Sequence, residues 1–153
     1  MSISELLDKN DISYKTVVCF NDNFFSALPI SVMQYLKCMG KTIILNKTVY
    51  GSAYTTLFSV DEIKEEQHSV CTANNLLVIG CGLNGDLLTV NLSNSKVGYV
   101  FHDELWDETE TYEMFEDIYV EMPFEIEEFI EKAIENKNYP IDATMAEELF
   151  KVI

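Results

Sequence analysis

Apolar positions recur at helical spacing towards both ends of the chain and alternate through its middle. Residues 2–9 read as a short helix capped by Ser2 or Ser4. Leu28-Pro29 opens a second helix, with Val32, Met33, Leu36 and Met39 on one face and Gly40 as its stop. Thr42–Leu45 and Thr48–Tyr50 are β-rich on either side of Asn46-Lys47. Ser59 with Glu62 forms a capping-box pattern for a helix running to about Val70. Asn75–Ile79 is an apolar run of strand length. Asp86–Leu92 places Leu88, Val90 and Leu92 on one face, and Val97, Tyr99 and Phe101 alternate after the turn at Ser93–Lys96. Pro123 opens a helix with the stripe Ile126, Phe129, Ile130, Ala133 and Ile134. A last helix, about 142–152, carries Met145, Leu149 and Val152 on its buried side. Strands in a run, with helices gathered at the ends, predict an α+β fold rather than alternating βαβ units.

Composition narrows the function classes. The 153 residues, 48% of them apolar, can bury a core and fit one domain, 1–153. There are 10 Lys, no Arg and 26 acids, a net charge of −16. Nucleic acids and anionic membranes are held through clustered Lys and Arg, so neither is an expected partner. The charge is also local: 14 acids and one lysine, Lys132, lie between Asp103 and Glu135, while the other 120 residues carry 9 Lys against 12 acids. The N-terminus has no secretory pattern, and no stretch is long and apolar enough to span a membrane. Cys19, Cys38, Cys71 and Cys81 form no CxxC pair and read as the reduced thiols of a cytoplasmic protein.

Residues 80–85, Gly-Cys-Gly-Leu-Asn-Gly, spell G-x-G-x-x-G after an apolar strand, and Asp103 lies 18 residues beyond Gly85. A dinucleotide site needs a helix to begin at the glycines, so that its N–H groups and dipole meet the pyrophosphate. Here Asp-Leu-Leu-Thr-Val-Asn-Leu follows and alternates like a strand. The expected structure is therefore a turn between strands, with Gly82, Gly85 and Asp86 as its structural residues and positive φ at Gly82 or Gly85.

The same run, residues 76–104, resembles the central segment of the SMI1/KNR4 (SUKH) superfamily. There a strand ending in Ile-Gly leads to a Gly-Asp pair, a strand, a short turn, a Val-containing strand and a His-Glu end. Leu28-Pro29 with Tyr35-Leu36 and Gly40 is similar to the family's opening helix, and Phe124–Ile134 to its closing helix. The likeness covers about residues 24–135. Asn91 stands where the family often has Asp, and His102-Asp103 where it has His-Glu. The resemblance implies a curved antiparallel-rich sheet with helices packed on it. It also implies a binding protein without a catalytic centre: bacterial members act as immunity proteins that neutralise toxins, often nucleases, and fungal relatives as regulatory interaction modules.

Other constellations are less informative. His68 and Cys71 share an i, i+3 spacing but have no second ligand pair, so a surface His beside a buried Cys is the plainer reading. Cys81 has no basic neighbour in the sequence to activate it. The carboxylates from Asp103 to Glu110 lack the order of a calcium loop, so no metal site or cofactor is expected. A charge run is commonly a solvated face, but this one also holds Trp106, Tyr112 and Phe115. Aromatic anchors within a charged rim are the makings of an interface. Phe115 and Tyr119, at i, i+4, are expected to be buried. The expected function is occlusion of a basic toxin domain by a face including Asp103, Glu104, Trp106, Asp107, Glu108, Glu110 and Glu113. The alternatives are a regulatory scaffold and, third, an enzyme using the Gly80–Asp86 loop.

Overall fold

The computed structural model describes residues 1–20, 23–47, 50–105, 113–135 and 139–151. Their fold is α+β: a six-stranded antiparallel sheet in sequential order with seven short helices. The strands are β1 (Ile43–Lys47), β2 (Ala53–Leu57), β3 (Leu76–Gly82), β4 (Leu87–Asn91), β5 (Lys96–Val100) and β6 (Tyr119–Glu125). The helices are α1 (Ile3–Lys9), α2 (Ile30–Leu36), α3 (Val60–Glu65), α4 (Ser69–Ala73), α5 (His102–Leu105), α6 (Ile126–Glu135) and α7 (Ala143–Phe150).

The sheet centre is buried on both sides, which is why Leu76–Ile79 is continuously apolar instead of alternating. One face carries the larger core: Leu77, Ile79, Leu88, Val90, Tyr99, Val120, Met122 and Phe124 pack with side chains of α1, α2, α6 and α7. The opposite face holds a smaller cluster, in which Leu76, Val78, Leu87 and Val100 meet Cys71 of α4, Leu105 of α5 and Ile118. Ser2 closes a capping box on α1, and Phe129, Ile130 and Ala133 form the buried stripe of α6.

Several expected elements are placed differently. The second β-rich segment lies at Ala53–Leu57: Tyr50 is in a turn, and Thr48 is outside the described residues. The helix expected from Ser59 to Val70 is two helices. The Gln67 side chain separates them by bonding Ile63 O at 2.7 Å and both backbone groups of Val78 at 2.8 and 2.9 Å, as a neighbouring strand would. His68 then caps α4 by accepting from Val70 N, so it does not share a helix face with Cys71. Pro123 lies inside β6, and the helix begins only at Ile126. A proline is tolerated there because β6 is an edge strand. Phe115 and Tyr119 stack across a turn with ring centroids 5.5 Å apart and are half-buried. On α7 the buried residues are Ala143 and Ala146, while Leu149 is exposed and Met145 half-buried; Val152 is outside the described residues.

Candidate functional site

The glycine motif forms the β3–β4 hairpin. Leu83, Asn84 and Gly85 make its loop, closed by Gly82 N donating to Asp86 O at 2.9 Å and Gly85 N donating to Gly82 O at 3.1 Å. Gly85 has φ of +92°, the left-handed residue that a three-residue hairpin loop requires. Gly82 is extended within β3 and is glycine for another reason: a Cβ there would lie 2.2 Å from Ile141 O. Leu83 N donates to that same carbonyl at 3.0 Å, and Asp86 N donates to Asn84 Oδ1 at 3.0 Å. The N–H groups of Gly82, Leu83, Gly85 and Asp86 are thus committed within the protein, and a strand follows. This loop does not form a phosphate cradle.

Asp86 is the structural centre of this corner. Its parity with Leu88 and Val90 sends it to the main core face, where it is almost wholly buried. Oδ1 accepts from His102 N at 3.1 Å and contacts His102 Nδ1 at 2.6 Å, while Oδ2 accepts from Ala143 N at 2.9 Å. His102 Nε2 lies 2.8 Å from Asp103 Oδ1. A buried carboxylate is tolerable only when paired and hydrogen-bonded, and here the partners come from the start of α5 and the start of α7. Tyr99 adds a second tie, its hydroxyl donating to Pro140 O at 3.0 Å. Two surface grooves, of about 530 Å³ near α1 and α2 and about 480 Å³ near Lys15–Phe20, do not include Asp86 or His102 in their linings. The Asp86 corner is a packed joint. Its signal in the sequence was an acid at a core-parity position just after a glycine turn.

The acidic stretch occupies different elements. Glu121 and Glu125 alternate with the buried Val120, Met122 and Phe124 on β6, and Glu128, Glu131 and Glu135 line the exposed side of α6. Asp103, Glu113, Glu116 and Asp117 are exposed and Glu104 is half-buried. Trp106, Asp107, Glu108 and Glu110 lie outside the described residues, as does Tyr112. The amino terminus lies 3.7 Å from Glu127, the His102 ring lies against Asp103, and Lys151 Nζ donates to Glu116 O at 2.9 Å. Glu121 is held by Asn91 Nδ2 at 2.9 Å, Asn94 Nδ2 at 3.2 Å and the Tyr119 hydroxyl at 3.0 Å. Burial, with the Glu121 carboxylate beside it, pushes the Tyr119 hydroxyl well up, so it stays a donor.

Cys38, Cys71 and Cys81 are shielded, and Cys19 is exposed. Burial pushes Cys71 up to about 11 and also raises Cys38 and Cys81. Among the described residues, no group of three or more His, Cys, Asp or Glu is arranged to hold a metal ion, and no helix is long and apolar enough to cross a membrane. Comparisons of the chain with family models, with curated proteins and with solved structures return no match.

Proposed function

We propose that this chain is a binding protein of the SMI1/KNR4 (SUKH) type, in its immunity-protein form. It occludes a basic, nuclease-type toxin domain in the cytoplasm and performs no chemistry. The observation that carries this reading is the acidic stretch from Asp103 to Glu135. Its described acids are exposed or half-buried, on a chain otherwise close to neutral. A toxin that acts on nucleic acid needs a basic substrate surface, and an acidic protein reaches such a surface by steered encounter. The resemblance of residues 76–104 to the central segment of that superfamily also supports the reading.

Affinity copurification from the native host, followed by a neutralisation assay on the captured partner, tests the proposal. A basic toxin domain that loses activity on binding is the expected result. A kinase, receptor or wall-synthesis protein whose activity is modulated would instead favour the regulatory scaffold. Specific thermal stabilisation by NAD or ATP would favour an enzyme.

A further inference from the structure

His102 touches a carboxylate with each of its ring nitrogens, and the two carboxylates differ sharply in environment. Nδ1 faces Asp86, whose side chain is 2% exposed, at 2.6 Å; Nε2 faces Asp103, 86% exposed, at 2.8 Å. An ionised carboxylate only accepts hydrogen bonds, so both contacts are hydrogen bonds only when each nitrogen carries a proton. The ring itself is 25% exposed, which gives a proton a route to solvent.

We propose that His102 is a proton-operated latch that either ties the Asp103 carboxylate to the end of the sheet or releases it to water. The doubly protonated ring bridges Asp86 and Asp103 and fixes the first turn of α5. When one proton leaves to solvent, it leaves from Nε2. Nδ1 keeps its proton, because losing it would take a donor from a buried carboxylate that water cannot resupply. Nε2 is then a lone pair facing the acceptor oxygen of Asp103. That exposed carboxylate rehydrates at little cost, since solvent-exposed ion pairs contribute little to stability.

The bonds from His102 N and Ala143 N to Asp86 are backbone bonds and do not titrate. The hairpin, the β5 exit and α7 therefore stay joined while the Asp103 arm opens. Among the described residues, other titratable groups around this corner include Tyr99, tied to Pro140 O, its neighbour Tyr139, and Asp142, whose carboxylate accepts from Met145 N. Where the acidic stretch docks a basic partner, a consequence that rests on the function proposed above, the latch decides whether Asp103 is presented to it.

The test uses the isolated full chain, so its outcome does not depend on any partner. Nitrogen-15 NMR of the two histidine rings, assigned with His68→Gln, is followed from pH 5 to 8.5 together with the Asp103 carboxyl carbon and the α5 amides. The expected result is a ring that passes from doubly protonated to the Nδ1–H form, the minority tautomer of free histidine. The Asp103 carboxyl and the Glu104 and Leu105 amides should shift at the same midpoint, and Asp103→Asn should abolish the shift of those amides. Loss of the Nδ1 proton, a single proton on the ring throughout, or α5 signals that ignore the ring would each overturn the latch.

Discussion

At the scale of single residues, each member of the Gly80–Asp86 motif has an internal reason to be what it is. Gly82→Ala would drive a methyl into Ile141 O and against the Tyr99 ring, so it should undock residues 139–143 and cost more than about 2 kcal/mol in urea unfolding. Gly85→Ala meets the His102 ring only at ordinary van der Waals distance, 3.8 Å, and carries the left-handed backbone penalty, about 1–2 kcal/mol. The reverse ranking would mean that the tie to α7 is not what Gly82 protects. Asp86→Ala removes the acceptor for two backbone N–H groups and the His102 ring in a buried corner, with an expected loss of about 3–5 kcal/mol. Thiol chemistry offers a separate check. Cys19 is exposed, whereas Cys71 is fully buried and pushed up to about 11. At pH 8 a thiol reagent should label Cys19 first and reach Cys71 only on unfolding; early labelling of Cys71 would contradict the described packing.

Secondary-structure elements were legible where local chemistry and tertiary packing agree. The Ser59 capping box, the one face shared by Leu88, Val90, Val97 and Tyr99 of β4 and β5, and the stripe of α6 are written in the sequence and adopted by the chain. The break between α3 and α4 was hidden because Gln67 ends the helix by bonding a strand 11 residues away. β2 was hidden because Thr55 takes a core place by bonding Tyr139, at 3.5 Å, instead of by being apolar. β6 has full alternation, but Pro123 resembles a helix start, and only edge placement makes it acceptable. Much of the later acidic charge is explained at this scale: Glu121 and Glu125 with Pro123 guard an edge strand, and the α6 glutamates form a solvent face.

The α3 cap also yields a pH prediction. Burial raises the Glu62 carboxyl, but bonds from the Thr42 hydroxyl and from Ser59 outweigh it and leave the value below the ordinary 4.5. A lowered folded value means that the Glu62 contribution is complete above pH 4.5 and disappears as the pH falls through that lower value. The stability gap between the protein and Glu62→Gln should therefore be larger at pH 7 than at pH 3. A gap independent of pH would show that the carboxylate charge does not matter to the cap.

For the whole molecule, the edge strand and the α6 face leave one part of the charge unexplained by folding. Eight acids lie between Asp103 and Asp117, a segment with no strand or long helix among its described residues and with the chain's sole tryptophan. That segment is where a basic partner is expected to dock. The most direct test is the association rate with the copurified partner, measured across ionic strength for the protein and for a variant with Asp107, Glu108, Glu110 and Glu113 changed to Lys. Wild-type association should be fast at low salt and slow steeply as salt is added, and the folded variant should associate at least tenfold more slowly with a flatter salt dependence. Unchanged rates and an unchanged salt slope in a folded variant would contradict the assignment of this acidic segment as the docking face.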